Sequence, residues 1–479
     1  MHVHLVGIGG AAMGNLAAMF KEKGFKVTGS DQNLYPPMSD RLREWKIPAR
    51  PFSAKHLGNP DLCVIGNAMS RGNEEVEAIL NQGLAYTSMS GALAEFFLKG
   101  REVIVVAGTH GKTTTTFLID HIIGTAGKAP GLFVGGIRGD GHPGYRVSKS
   151  KYFVIEGDEY DTAFFDKASK FLRYLPRYLA LTSVEFDHAD IFSGRADYEL
   201  TFRRLLRLIP GRGLIAACAD DAGARRVLDG YDLAPVIWYG KGRFEDEQET
   251  GSTRGMQLFG RRGRSVQLGF LGQVDDFALL GRHNTANALA AALLCRRIGI
   301  KDKDIRAALQ TFPGVLRRQQ IRAEIQSGPA GAPITVIEDF AHHPTAVRET
   351  IHAVKEAYPG RKIHAFFEPR SATSHRSVFQ TRYVSAFARA DHVYLPDVFN
   401  KNKVPANARL DVRKLTRDIA ERKGKSAVVQ FSKNPEDLML AFRKKFRPAP
   451  TGDVILLMSN GAFGGIYEPM DEFVLGLAP

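Results

Sequence analysis

Gly108-Thr109-His110-Gly111-Lys112-Thr113-Thr114 combines two glycines, a lysine and hydroxyls in an order suited to holding a nucleotide triphosphate. Backbone N–H groups at the start of a helix point outward unsatisfied and carry partial positive charge, so a glycine turn leading into a helix binds phosphate. Lys112 would add a point charge between the outer phosphates, and the Thr113 hydroxyl would reach a magnesium ion. The spacing differs from G-x-x-x-x-G-K-[ST], because position 106 is Val and the earlier glycine is Gly108. Downstream, Glu156-Gly157-Asp158-Glu159-Tyr160-Asp161 supplies the carboxylates expected for a magnesium ligand beside such a loop. His188, in Glu185-Phe186-Asp187-His188, suits a metal or a phosphate, with an ordinary polar contact as the default on residue type alone.

A second glycine cluster, Gly7-Ile8-Gly9-Gly10, precedes Asp31. Glycines there let a backbone approach a diphosphate, and Asp31 is placed for a ribose hydroxyl, without distinguishing NAD from another nucleotide diphosphate. His283, Asn284 and Asn287 could read an adenine edge, with helix capping the default role for Asn284. The pair His342-His343 falls where a strand should end, which favours a role in a cleft.

These residues need strands and helices to hold them. Apolar runs predict strands at residues 2–6, 26–29, 62–65 and 84–87, with Tyr35-Pro36-Pro37-Met38 as an extended loop. A strand over 103–106 feeds the phosphate loop and its helix, and further strands are expected at 152–155 and 178–183. Alternating apolar positions within 241–275 suggest a small antiparallel hairpin, and a small-residue helix follows over 288–294. The last unit reads as strands at 334–337, 362–367, 392–395 and 454–458. Its first helix spans 345–357, with Pro344 blocking an earlier start. The pattern is α/β throughout, in three domains over 1–100, 101–317 and 318–479.

Composition limits the alternatives. A chain of 479 residues exceeds what one core usually serves. Three scattered cysteines argue against a disulfide framework and for a reducing compartment. The N-terminus enters a strand-like run directly and no apolar run is long enough to span a bilayer, so a cytoplasmic protein without a membrane partner is expected. The formal charge of +14 is dispersed and accompanies no nucleic-acid-binding signature, so nucleic acid is not expected as a partner. A positive cleft for polyanionic small ligands would also use it. A dehydrogenase would use residues 1–35 but leave the loop at Thr109–Thr114 unexplained. A non-enzymatic ATP switch would leave the outer domains unexplained.

Taken in order, these elements resemble the Mur ligase family, the ATP-dependent amide-forming enzymes of bacterial cell-wall synthesis. Gly7-Ile8-Gly9-Gly10, the phosphate loop, the 156–161 acidic turn, Glu185-Phe186-Asp187-His188, Gly281-Arg282-His283-Asn284 and Asp339-Phe340-Ala341-His342-His343-Pro344 recur in family order across essentially the whole chain. The resemblance implies a Rossmann-like UDP-binding domain, a P-loop ATPase-like central domain and a Rossmann-like C-terminal domain.

Two branches of the family load the lactyl carboxylate of UDP-N-acetylmuramate. One adds L-alanine; the other adds a recycled tripeptide, L-Ala-γ-D-Glu-meso-diaminopimelate. The chain is similar to the second through Tyr35-Pro36-Pro37-Met38-Ser39, Gly66-Asn67-Ala68-Met69-Ser70-Arg71-Gly72-Asn73, Phe340-Ala341 and Glu368-Pro369-Arg370-Ser371, with the L-alanine branch as the alternative.

The resemblance implies ATP and Mg²⁺ as cofactors, with UDP-N-acetylmuramate and the tripeptide as partners and a monomer or weak homo-oligomer. Lys112, Glu156, His188 and His342 would be catalytic, and Thr113, Glu156 and His188 would hold the metal. ATP would lie on Gly108, Thr109, His110, Gly111, Lys112, Thr113 and Thr114, with His283, Asn284, Asn287, Arg317 and Asp339 around it. Gly7, Gly9, Gly10 and Asp31 would carry the UDP-sugar, and His342 and Arg370 would face the peptide. Residues 189–213 contain no lysine, so the carbamoylated lysine of several relatives has no counterpart there.

Overall fold

A strand buried on both faces needs apolar side chains at every position. Past Glu102, the strand Glu102–Ala107 meets that need, sending Val103, Val105 and Ala107 into one core and Ile104 and Val106 into another. In this computed structural model, residues 1–36, 38–242, 256–326, 331–424 and 426–478 are described. Pro37 and residues 243–255, part of the expected proline loop and hairpin region, lie outside them.

Among the described residues the chain forms three large sheets in succession and a two-stranded antiparallel one, Asp161–Ala163 with Asp166–Ser169. The first is parallel, with its strands in the order Ala49–Arg50, Lys26–Ser30, His2–Val6, Leu62–Ile65, Tyr86–Ser88. In the central sheet, Glu102–Ala107 lies between Pro176–Leu181 and Tyr152–Gly157, all three parallel. Their carboxyl ends are therefore neighbours. The sheet continues through Leu214–Cys218 and Val236–Lys241 to Gln257–Arg262, which pairs with Ser265–Leu268 as the expected antiparallel hairpin. The third sheet runs Gln320–Ile325, Ile334–Asp339, Asp453–Met458, Lys362–Phe367, His392–Pro396, Val429–Ser432, antiparallel only at its first pair.

Three local expectations are corrected. The helix after Leu280 is Arg282–Arg297, capped by Gly281, so Asn284 lies inside its first turn and is not the cap. Asn284 Nδ2 instead donates back to the Leu280 carbonyl at 2.9 Å. Pro344 is itself the first residue of the helix Pro344–Ala357, one position earlier than expected, in the first turn where a missing N–H costs no intrahelical hydrogen bond. Met38, expected in an extended loop, begins the helix Met38–Glu44, where it is buried against Gly14.

The carboxyl edges face one another. Asn67, just past Leu62–Ile65, donates to the Asp161 carbonyl at 3.2 Å beyond Tyr152–Gly157. Glu185 and Asp187, past Pro176–Leu181, bond Thr345 and Thr373 of the third unit. Open α/β sheets bind ligands at such edges. No helix among the described residues is long and apolar enough to cross a membrane.

Candidate active site

The phosphate loop is folded by its neighbours. Gly108, at φ +140°, lies so close to Thr182 and Ser183 that a Cβ there would come within 2.2 Å of Thr182 Oγ1. Thr182 and Ser183 were expected to extend the preceding strand, but they turn under the loop. Thr182 Oγ1 donates to the His110 carbonyl at 2.6 Å, and the His110 N–H donates to Ser183 Oγ at 3.0 Å. Gly111, left-handed at φ +80°, is the N-cap of the helix Lys112–Thr125 and offers no side-chain acceptor. The first N–H groups of that helix are thus not capped by its N-cap side chain, which is the condition for anion binding.

Lys112 is held across this opening. Its Nζ donates to the Gly108 carbonyl at 2.7 Å and to Glu159 at 2.9 and 3.1 Å. Burial alone would push the ammonium down, but the Glu159 carboxylate more than offsets it and raises the group above its ordinary value. Glu159 is fully buried. That would raise its own carboxyl, yet Lys112 and His188 hold it below the usual range. His188 Nε2 lies 3.1 Å from Glu159 Oε1, and Tyr198 OH donates to the same oxygen at 3.3 Å. Read from sequence, Glu159 is a substitute for Glu156 or its neighbour; here it joins loop, acidic turn and His188.

Of the three residues expected around magnesium, Thr113 and Glu156 are paired. Thr113 Oγ1 donates to Glu156 Oε1 at 2.8 Å, and Glu156 Oε2 accepts the Gly135 N–H at 2.8 Å. A hydroxyl and a carboxylate are the hard oxygen donors that magnesium takes. His188 sits one step away, on Glu159.

The residues expected around adenine form a network that sequence reasoning did not connect. Asn287 Nδ2 donates to Asn284 Oδ1 at 3.2 Å, and Asn284 donates to Gln319 Oε1 at 3.2 Å. Gln319 Nε2 lies 3.4 Å from His283 Nε2, while its N–H donates to Asp339 Oδ2 at 2.9 Å. Gln319 therefore links the central unit to the third. Its left-handed φ of +52°, like that of Arg317 at +62°, marks a tight interdomain turn. No glycine signals this turn in the sequence. Arg317 reaches Glu338 at 2.6 Å and the Ser459 carbonyl at 3.1 Å.

In the third unit, His342 Nδ1 lies 3.1 Å from the Phe340 carbonyl, and burial pushes the imidazole down to about 4. The carbonyl partner suits an Nδ1–H, and the lowered value favours the neutral ring. Arg370 lies 3.7 Å from the centre of the Phe399 ring and beside Gly461, at the same carboxyl edge. In the first unit, Gly7 N–H donates to the Ser30 carbonyl at 2.8 Å. Gly10 caps the helix Ala11–Glu22 without a side-chain bond. Asp31 Oδ2 accepts the Gly9 N–H at 2.9 Å, so it braces the glycine loop it was expected to accompany.

His343 caps Pro344–Ala357, its Nδ1 accepting the Thr345 N–H at 3.3 Å. Its side chain is 1% exposed, and burial pushes the imidazole down to about 3. Below the unfolded value of 6.5, the unfolded chain binds a proton that the folded one refuses, so stability falls as pH falls through this window and is unaffected above it. The cost should reach about 3 kcal/mol by pH 4. His343→Asn, which keeps a capping acceptor but cannot titrate, should flatten urea midpoints between pH 6.5 and 4. Parallel pH profiles for the two proteins would refute the assignment.

Comparison with known proteins bears on this geometry. The family models "Mur ligase family, catalytic domain", "Mur ligase middle domain" and "Mur ligase, glutamate ligase domain" match residues 2–101, 106–295 and 317–461. The chain is 36% identical over 474 residues to the UDP-N-acetylmuramate–L-alanyl-γ-D-glutamyl-meso-2,6-diaminoheptandioate ligase of Escherichia coli, covering 98% of this chain and 97% of that one. It is 30% identical to the UDP-N-acetylmuramate–L-alanine ligase of Pelotomaculum thermopropionicum, covering 96% and 95%. Among solved structures, a murein peptide ligase from Psychrobacter arcticus aligns over the whole of both chains with a TM-score of 0.68 and 30% identity. The UDP-N-acetylmuramate–alanine ligase of Thermotoga maritima shares the fold with a TM-score of 0.74 over 99% of each chain, at 23% identity. With models matched in order along three α/β units and relatives matched end to end, the chain belongs to the Mur ligase family.

Proposed function

We propose that this protein joins the lactyl carboxylate of UDP-N-acetylmuramate to the amine of L-Ala-γ-D-Glu-meso-diaminopimelate, using ATP. The observation that carries the reading is the full-length match to the ligase of Escherichia coli that bears this name, closer than the match to the L-alanine ligase. Three carboxyl edges meeting at Asn67–Asp161, Glu185–Thr345 and Asp187–Thr373 support it, because a sugar nucleotide, ATP and a peptide must be brought together. Three free, buried cysteines and the use of ATP support a cytoplasmic setting.

A carboxylate is too poor an electrophile for an amine to attack. In the proposed reaction, a carboxylate oxygen of the sugar attacks the γ-phosphorus of ATP, the bond to the bridging oxygen breaks, and ADP leaves an acyl phosphate. The amine of the tripeptide then attacks the acyl carbon, loses a proton, and expels phosphate. The protein's share is positioning and charge neutralisation. The N–H groups opening Lys112–Thr125 and the Lys112 ammonium would hold the β- and γ-phosphates. Thr113 and Glu156 would hold Mg²⁺, with His188 next to them on Glu159; the ion, when bound, offsets phosphate charge. His342, its Nδ1 resting on the Phe340 carbonyl, would face the incoming peptide. The Asn287–Asn284–Gln319 chain with His283 would line the adenine, and Arg370 would face the peptide.

Phosphate release with ATP, Mg²⁺ and UDP-N-acetylmuramate tests the reading. Release is expected with the tripeptide and not with L-alanine. Release with L-alanine alone would move the chain to the other branch, and release with neither would refute ligation of this sugar.

A further inference from the structure

Glu185 is the carboxylate on which the phosphate loop and the third unit meet. Its backbone is clipped to the loop, its N–H donating to Thr109 Oγ1 at 2.9 Å and its carbonyl lying 2.8 Å from the same hydroxyl. Its Oε2 lies 2.8 Å from His110 Nε2. Its Oε1 accepts Thr345 Oγ1 at 3.0 Å and also Arg382, both from the other side of the cleft. Arg382 is half-exposed and touches the Thr345 hydroxyl as well, at 3.1 Å. One side of the phosphate loop is thus pinned by a group whose second oxygen is held by the third unit.

We propose that Glu185 and Arg382 are positioning residues for ligation, Arg382 docking on Glu185 to fix His110 in the phosphate loop when the cleft is closed. The inference rests on the ATP-site reading above. Arg382 suits the task because a charge-assisted bond from a guanidinium is strong and directional. His110, Glu185 and His343 also bring three donor atoms within 4.8 Å of one another, a spacing open to a divalent cation. These atoms are already engaged, however: His343 Nδ1 accepts the Thr345 N–H and Glu185 Oε2 lies 2.8 Å from His110 Nε2. Hydrogen bonding accounts for the arrangement without a cation.

The test uses the full chain, stripped with a chelator and assayed in Mg²⁺ alone, with binding of a fluorescent ATP analogue measured separately. Arg382→Ala should lower kcat about ten- to hundredfold, the worth of one charge-assisted bond, with ATP affinity changed by less than about twofold. Arg382→Lys should restore much of the loss. Adding Arg382→Ala to Glu185→Gln should slow the enzyme by less than about threefold further, because both remove one tie. Unchanged kcat in Arg382→Ala, a loss falling on ATP affinity, or losses that multiply in the double variant would each overturn the proposal. Restoration of the wild-type rate by Zn²⁺ in Arg382→Ala would also overturn it, in favour of a metal-bridged cluster. A wild-type chain that failed to bind the analogue would instead refute the ATP site itself.

Discussion

Lys112→Met should reduce ATP-dependent ligation by about three orders of magnitude, the scale set by removing a charge-neutralising group from a transferring phosphoryl. The geometry leaves little room for compensation. Lys112 is the ammonium fixed within the turn Gly108–Lys112, by the Gly108 carbonyl at 2.7 Å and by a buried carboxylate. Arg382, a cation on the opposite face, is committed to Glu185. Methionine keeps most of the side-chain length, so the neighbouring Thr114, Thr115 and Thr116, all buried, need not shift. Phosphate release under saturating ATP and both cosubstrates measures the effect, with circular dichroism as the folding control. Turnover near wild type would remove the phosphate loop from the mechanism and with it the assignment of the central unit.

Much of the scaffold was legible because parallel strands announce themselves. The runs at 103–106, 334–337, 362–367 and 454–458 contain no polar residue other than Lys362, His364 and Thr335, and each forms a strand of a doubly covered sheet. Boundaries were less legible where a tertiary contact overrides local preference. Thr182 and Ser183 continue an apolar run, but the His110 carbonyl and N–H draw their hydroxyls under the loop. Asn284 looks like a cap until Gly281, at φ +84°, takes that place.

The residues that could touch phosphate carry sequence signals: glycines, a lysine, a histidine near acids. Those that hold them do not. Gln319, Arg382 and Thr373 are ordinary surface residue types at unremarkable positions, and only the approach of the third unit brings them to Asp339, Glu185 and Asp187. A pairing between residues 186 or 197 positions apart has no local periodicity to reveal it.

Glu159 is the most consequential of these partners, and its removal separates stability from chemistry. Glu159→Gln leaves the shape intact but strips the counter-charge from Lys112 and His188 at a fully buried position. Breaking a buried ion pair from one side costs about 3–5 kcal/mol, because the remaining charge stays desolvated without a partner. The central unit of Glu159→Gln should therefore unfold at markedly lower urea, and its ligation rate should fall as well, since Lys112 loses the contact that fixes it. Replacing both partners tells the two effects apart. Lys112→Met combined with Glu159→Leu leaves no unpaired ammonium or carboxylate, and apolar replacements of buried pairs are often neutral. That double variant should recover most of the stability lost by Glu159→Gln yet remain as inactive as Lys112→Met alone. If it unfolds as easily as Glu159→Gln, the burial penalty is not electrostatic and Glu159 acts chiefly through Tyr198 and His188. If it recovers activity along with stability, the ammonium serves the fold and the phosphates are held by the helix N–H groups without it.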